Sequence, residues 1–281
     1  MYEELIQSLI DLAIREDIGD GDHTSLACID KQAIGKARLV AKESGIIAGI
    51  DIAGRVLKRF DAHAVITSLL KDGDKIESGD VILNIEAHSL AILQSERLIL
   101  NFMQRMSGIA TQTAKYADKL KGLQTKILDT RKTSPGMRWF EKEAVRIGGG
   151  MNHRFGLFDM ILLKDNHIDF SGGIKSAIIK THAYLFASNK KLDIVIEARS
   201  IEDVQEILAV GGVKRILLDN FSIQETRKAV HIIGRRFETE SSGNITPENI
   251  REYGECGVDY ISVGALTHHI KSIDLSLKAI V

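Results

Sequence analysis

Apolar and polar residues follow three different rhythms along this chain, and each change of rhythm marks a change of architecture. From residue 3 to 16, Leu5, Ile6, Leu9, Ile10, Leu12 and Ala13 recur at helical spacing, which predicts an amphipathic helix packed against another element. The acidic stretch 17–22, DIGDGD, breaks it. No glutamate follows where an EF-hand loop needs its bidentate ligand, so a solvated turn is expected there rather than a calcium site.

From Gly35 to Glu86 the runs are short and alternate or are wholly apolar, with glycine and aspartate turns at 71–74 and 77–80. A small, mostly antiparallel sheet is expected. Its glycine turns resemble those of biotinyl and lipoyl carrier domains, but the central modifiable lysine motif is missing, which argues against a swinging-arm carrier. A long helix is predicted from about His88 to Lys121, with Gly108 either bending it or marking a domain boundary.

After residue 125 six short apolar runs appear, at 126–129, 160–164, 194–197, 215–219, 237–242 and 260–264. Most are separated by segments with an apolar stripe and a serine at the N-cap position, as in SIEDVQEILAVGG and SIQETRKAVHIIG, and Pro247 follows Thr246 at a further helix start. Repeated strand-helix units with apolar strands make a parallel sheet covered on both faces or closed into a barrel. Every run ends on a chemically useful residue: Arg131 and Lys132, Lys164, Glu197, Asp219, Ser242 and Gly243, then Gly264 and His268. An open doubly wound sheet gathers its ligands at one switch point, whereas a β/α barrel uses the ends of all its strands, so the pattern favours the barrel. The expected division is an N-terminal α+β sheet domain over 1–108, a β/α barrel over 109–268, and a tail, 269–281, that packs back on the first domain.

Composition narrows the chemistry. With Lys+Arg 37 against Asp+Glu 38 the net charge is -1, which excludes a basic footprint for nucleic acid or an anionic membrane spread over the surface. Basic chemistry must then be local. Cys28 and Cys256 stand outside any CxxC or Cys/His ligand spacing, so neither a disulfide framework nor a zinc site is indicated and a reducing cytoplasm is expected. The first residues, MYEELIQSL, are acidic and amphipathic, and no apolar run reaches membrane-spanning length; neither secretion nor a membrane span is expected.

The local basic cluster lies between Asp129 and Asn166. Arg131, Lys132, Arg138, Arg146, His153 and Arg154 surround the triple glycine 148–150. Arginine and histidine supply donors for anions and glycine lets a ligand approach the main chain, so the segment reads as an anion pocket. The plainer reading is a solvated helix and loop, since Glu141, Glu143 and Asp159 nearly balance the charges and Lys142 is expected to face water.

The last two strand ends, ETESSGNITPE and ISVGALTH, place small residues where backbone N–H groups face an anion, and a phosphate site is inferred there; two ordinary tight turns are the alternative. Glu197 and Asp219, ending IVIEA and ILLDN, point two carboxylates at one mouth. They suit ribose hydroxyls, a Mg²⁺ held through water, a general base, or simple pairing with a lysine such as Lys164. No Walker loop, GxGxxG after a strand, GxSxG elbow or HExxH is present, which removes P-loop hydrolysis, ordinary dinucleotide binding, serine hydrolases and zincins. A mouth cationic on one side and acidic on another suits a substrate with several anionic groups joined to a sugar.

At SERLILNFMQRMSGIAT, DTRKTSPGMR, AVRIGGGMNHR, DMILLKDNHI, LLDNF, ESSGNI and GVDYISVGALTH the chain resembles the quinolinate phosphoribosyltransferase (decarboxylating) family, also called nicotinate-nucleotide pyrophosphorylases, and the order agrees from end to end. The resemblance implies an N-terminal sheet-and-helix domain joined to an incomplete, seven-stranded parallel β/α barrel of the type II phosphoribosyltransferase kind, assembled as a homodimer or higher. It implies that quinolinate and phosphoribosyl pyrophosphate, with Mg²⁺, give nicotinate mononucleotide, pyrophosphate and CO2 in de novo NAD biosynthesis. Arg131, Lys132, His153 and Arg154 would surround the pyridine dicarboxylate. Arg97, on local grounds a solvated helix residue, would reach it from the partner subunit. Lys164, Ser242, Gly243, Gly264 and His268 would hold phosphate groups, and Glu197 and Asp219 the ribose hydroxyls and metal, with Lys132, Glu197 and Asp219 as the catalytic set.

Where that family often carries alternating acids around the strand of Glu197, this chain has Val195, Glu197 and Arg199, which bears on secondary contacts near the ribose. A same-fold relative associated with molybdenum transport shares much of the pattern, and Arg97, Arg131, His153 and Arg154 favour the enzyme. A non-catalytic phosphoribosyl or dicarboxylate binding protein is the alternative of a different class.

Overall fold

The computed structural model describes residues 2–280. In chain order its first part runs α1 (Tyr2–Ile18), α2 (His23–Cys28), β1 (Ile34–Ala41), β2 (Gly45–Ile46), α3 (Ile50–Phe60), β3 (Val65–Ser68), β4 (Lys75–Ile76), β5 (Val81–His88) and α4 (Ser89–Lys119). Next come β6 (Lys126–Leu128), α5 (Arg138–Ile147), β7 (Ile161–Leu163), α6 (Asp165–Ser171), α7 (Ile174–Ala187), β8 (Ile194–Ala198), α8 (Ile201–Val210) and β9 (Arg215–Asp219). The chain ends with α9 (Ile223–Ile233), β10 (Glu238–Ser242), α10 (Ile250–Glu255), β11 (Tyr260–Ser262), α11 (Ala265–His268) and β12 (Leu275–Ile280). These elements form two compact units, one of residues 1–114, 133–149 and 265–281, the other of 115–132 and 150–264.

The first unit holds a four-stranded antiparallel sheet in the order β12-β1-β5-β3, and a small ladder, β2-β4. Both expected tight turns form in the same way. The N–H groups of Lys71 and Glu77 donate to the carboxylates of Asp74 and Asp80, at 2.9 and 2.8 Å. The C-terminal tail supplies the edge strand β12, paired with β1 from Lys36↔Ile280 to Ala41↔Leu275. Two helices were not foreseen: α2, whose N-cap Asp22 accepts the Ser25 N–H at 3.1 Å, and α3, which interrupts the strand-rich stretch and buries Ile52, Ala53, Val56 and Leu57. Helix α1 buries only Ile6 and Ile10, while Leu5 and Leu12 stay exposed.

Helix α4 continues through Gly108. The glycine serves close packing, since a Cβ there would stand 2.4 Å from the Lys271 carbonyl oxygen. The segment 133–149 also belongs to this unit rather than to the parallel sheet. Ser134 to Met137 turns through Pro135 and Gly136 (φ 79) into α5, the Met137 N–H donating to the Ser134 carbonyl at 3.1 Å. Phe140 then stacks on Phe102 with ring centroids 4.8 Å apart, and the fully buried Glu141 accepts Arg105 Nε at 2.9 Å. Lys142, expected to face water, is only 2% exposed.

The second unit is a six-stranded parallel sheet in the order β6-β11-β10-β9-β8-β7. Every one of the six apolar runs forms its strand, with α6 and α7, α8, α9 and α10 in the crossovers. The seventh strand implied by the resemblance is reduced to one parallel bridge, Leu128↔Met151, beside β6. The barrel is therefore incomplete, with β7 and Met151 at its two free edges. No helix among the described residues is long and apolar enough to cross a membrane.

Asp61, buried at the end of α3, accepts the main-chain N–H groups of His88 and His63 at 2.9 Å each, and its Oδ2 lies 2.8 Å from His88 Nδ1. These bonds, the His88 main-chain N–H first, lower its carboxyl from 3.8 to about 2. An acid depressed in the folded state stabilises it fully above the unfolded value, and that contribution is lost as pH falls from 3.8 toward about 2. Asp61→Asn should therefore lower the melting temperature at about pH 6, and the gap from wild type should shrink as pH drops below about 4. Thermal melts across that range would contradict this account if the gap stayed constant.

Candidate active site

In a parallel sheet every strand delivers its last residue to the same edge. Within the second unit that edge gathers Arg131 and Lys132 after β6, Lys164 after β7, Glu197 in β8, Asp219 ending β9, Ser242 ending β10 with Gly243 after it, and Gly264 beyond β11. Arg97, on α4, and His268, ending α11, are both exposed residues of the first unit.

The basic end is built by a loop that returns to β6. Met151 N–H donates to the Ile127 carbonyl at 2.9 Å and Asp129 N–H to the Met151 carbonyl at 3.1 Å, which seats residues 151–154 beside the strand. The fully buried Asp129 then accepts the His153 N–H at 2.8 Å, and Arg154 N–H donates to His153 Nδ1 at 2.7 Å. Arg154 is 8% exposed, and its Nη1 donates to the Met160 carbonyl at 3.1 Å. Burial first, and the neighbouring Arg131 charge second, push its guanidinium below its ordinary value. Arg131 Nε is itself buried and makes no hydrogen bond. A buried charged donor without an acceptor costs about 1–3 kcal/mol or more, and two adjacent guanidinium groups repel, so this pocket favours an anion.

Other basic residues of the segment are spent elsewhere. Arg146 Nε donates to Glu143 at 2.9 Å and Arg138 Nε to Thr133 Oγ1 at 3.1 Å, both within the first unit. Gly148 has a packing role too, since a Cβ would lie 2.4 Å from the Ala110 carbonyl oxygen on α4.

The acidic end centres on Glu197, 8% exposed. Its Oε2 accepts the Asp165 N–H at 3.1 Å and its Oε1 lies 3.5 Å from Lys164 Nζ, so the lysine pairing foreseen as an alternative is present. Burial pushes the Glu197 carboxyl up; Lys164 opposes this and the nearby Asp219 charge reinforces it. Val195 is buried in the β8 core, and Arg199 pairs with Asp169 at 2.8 and 3.0 Å.

At the next two strand ends Asn220 Nδ2 donates to Asp219 Oδ2 at 2.9 Å, while Asn244 Nδ2 donates to Asn220 Oδ1 at 3.1 Å. Gly243, at φ 96, packs so closely on Asn220 that a Cβ would stand 2.1 Å from its Oδ1. The loop thus ties Asp219 to the Ser242–Gly243 turn. Asn220 and Asn244 were not singled out from sequence, although an asparagine after a strand-end acid or glycine is a common signal for the left-handed backbone both adopt, φ 57 and 51.

A second omission lies inside the sheet. Glu240 is fully buried, its Oε2 accepting Arg215 Nη1 at 2.8 Å and standing 3.4 Å from His153 Nε2. Charged residues within otherwise short, buried strands were the available signal, since a buried charge needs a partner.

A family model described as quinolinate phosphoribosyl transferase, C-terminal domain, matches residues 109–278, and its N-terminal counterpart matches residues 22–107. The chain belongs to the quinolinate phosphoribosyl transferase family. Similar proteins include the chloroplastic nicotinate-nucleotide pyrophosphorylase (carboxylating) of Arabidopsis thaliana, 42% identical over 97% of this chain and 82% of that protein. A probable nicotinate-nucleotide pyrophosphorylase (carboxylating) of Bacillus subtilis is 40% identical over 97% and 92%. The crystal structure of NadC from Streptococcus pyogenes superposes with a TM-score of 0.92 at 40% identity, covering 98% of this chain and 97% of that one. The incomplete barrel with an antiparallel sheet domain is thus the fold of this family.

Because burial raises the Glu197 carboxyl, its share of stability is present below the unfolded value, 4.5, and is lost as pH rises through the folded one. Glu197→Gln should accordingly melt at the same temperature as wild type or roughly 2 °C higher at about pH 8, with the difference vanishing below about pH 4. A variant melting several degrees lower at the alkaline end would show that the fold needs this charge.

Proposed function

We propose that the protein transfers the phosphoribosyl group of phosphoribosyl pyrophosphate to quinolinate with loss of CO2, giving nicotinate mononucleotide and pyrophosphate for de novo NAD synthesis. The observation that carries this reading is the buried, unpartnered Arg131 Nε beside the buried guanidinium of Arg154 in a chain of this family. Two guanidinium groups suit a dicarboxylate better than a monocarboxylate. Lys132 and His153 complete that end, and Lys164, Ser242, Gly243, Gly264 and His268 receive phosphate groups.

Glu197 and Asp219 face the ribose. As pyrophosphate departs, positive charge builds on the anomeric carbon, and these carboxylates stabilise it. The pyridine nitrogen then bonds to that carbon. The cationic nitrogen stabilises the electron pair left on the adjacent ring carbon as its carboxylate leaves as CO2, and that carbon then takes up one proton from solvent to give the product, so the protein's part is to orient the acid. Among the described residues no group of three acids, histidines or cysteines gathers to cage a metal. Two carboxylates, however, fit a Mg²⁺ that arrives with substrate phosphates, and Glu197 and Asp219 would hold it directly or through water. When bound, it would neutralise charge on the departing pyrophosphate.

A cytoplasmic homodimer, or a larger assembly of dimers, belongs to the proposal. Arg97 is exposed, and it reaches the dicarboxylate end of the partner subunit.

Incubation with phosphoribosyl pyrophosphate, Mg²⁺ and quinolinate should yield nicotinate mononucleotide and CO2 in equal amounts, with little product from nicotinate and none after chelation. Arg131→Ala should raise the KM for quinolinate by about 10–100-fold. No product from quinolinate in the wild-type protein would sink the reading. For the shared site, mixing Arg97→Ala with Lys132→Ala subunits should restore roughly a quarter of wild-type activity, because a two-fold dimer then keeps one intact site in half the molecules. Mixtures as inactive as either parent would place Arg97 outside the site.

A further inference from the structure

Within the parallel sheet of the second unit three charged side chains, Arg215, the half-buried Glu238 and the buried Glu240, lead to His153, and the reaction proposed above gives none of the three a role. Arg215, at the start of β9, donates from Nε and Nη2 to Glu238 Oε2 at 3.1 and 3.0 Å, and from Nη1 to Glu240 Oε2 at 2.8 Å. The Tyr260 ring lies under the same guanidinium, 3.8 Å from its central carbon. On its far side Glu240 Oε2 stands 3.4 Å from His153 Nε2, with both side chains buried, 0% and 6% exposed. Burial opposes charge on Glu240, but His153, Ser262 and Arg215 outweigh it and hold the carboxyl below its ordinary value.

The histidine is read from both sides. Its Nδ1 accepts the Arg154 amide hydrogen at 2.7 Å, and a ring nitrogen that accepts an N–H carries no proton itself. Its Nε2 faces a carboxylate, which favours N–H there. Both contacts select one neutral tautomer, with the proton on Nε2. Its own main-chain N–H is fixed on Asp129 Oδ1 at 2.8 Å. Moving its proton to Nδ1 would set two N–H groups against each other, and turning the ring would set a C–H against the Arg154 amide; either removes the acceptor that holds the main chain carrying the Arg154 guanidinium.

We propose that Glu240 and Arg215 are positioning residues for the anion site: they hold His153 as its Nε2–H tautomer, so that Nδ1 accepts the Arg154 amide and the Arg154 guanidinium is aimed at the dicarboxylate. The identity of that ligand rests on the function proposed above; the tautomer does not. Glu240 is fully buried and acts through His153.

The first test is made on the resting wild-type protein. Long-range ¹H–¹⁵N correlation of ¹⁵N-histidine-labelled protein, with the His153 signals assigned by their loss in His153→Asn, should show the Nε2–H tautomer near neutral pH. An Nδ1–H tautomer or an imidazolium overturns the proposal, whatever the turnover with quinolinate. The second test is kinetic. Glu240→Gln should raise the KM for quinolinate by about 10-fold and that for phosphoribosyl pyrophosphate by less than about 2-fold, with mixed His153 tautomers; an unchanged quinolinate KM or an equal rise in both constants contradicts it. His153→Asn sets an acceptor where Nδ1 stands and His153→Gln sets one near Nε2, so the asparagine variant should keep the quinolinate KM closer to wild type. The reverse order overturns the proposal without reliance on any change at Glu240.

Discussion

Much of this molecule follows from one electrostatic constraint: two guanidinium groups, Arg131 and Arg154, stand close enough to repel at the edge of a buried sheet, and one of their donors has no acceptor. Such an arrangement persists only where surrounding structure enforces it. Here the enforcement is local and covalently short. β6 ends on the buried Asp129, Met151 bridges back to Leu128, and the His153 N–H closes on Asp129, so the loop returning from the first unit has little freedom when it reaches Arg154. The gain appears when an anionic ligand joins the two cations in a medium that screens them poorly.

The opposite end of the same edge obeys the converse rule. Glu197 is held at the end of β8 by the Asp165 N–H and by Lys164, yet burial and Asp219 still resist its ionisation. A carboxylate so placed would gain from a developing cation, the role proposed for it as pyrophosphate leaves the ribose. The clasp from Asp219 through Asn220 to Asn244 links the Asp219 carboxylate to the turn at Ser242 and Gly243, so that these two strand ends share one support.

Most strands of the second unit were legible because parallel strands buried on both faces are largely apolar and their last residues changed abruptly to Lys, Glu or Asp, whereas β10, ETESS, is polar throughout. Helix α3 was not, since Ile50 to Phe60 lies between strand-like runs and its period becomes clear only against its partners. Lys142 and Glu141 misled for a different reason: a charged residue in a short helix ordinarily faces water, and only the Arg105 pairing from a distant helix reverses that for Glu141. Gly108 and Gly148 carried a true signal of close backbone approach that sequence cannot distinguish from a bend or a ligand contact. Glu240 and Arg215 escaped notice because their partners come from separate strands and a separate loop.

The account stands most directly on where the dicarboxylate binds. A crystal structure of the protein with quinolinate should place one carboxylate oxygen within hydrogen-bond reach of Arg131 Nε, about 3 Å, with Arg154 on the same ligand. Quinolinate bound with Arg131 Nε still lacking an acceptor, or held without either arginine, would contradict it.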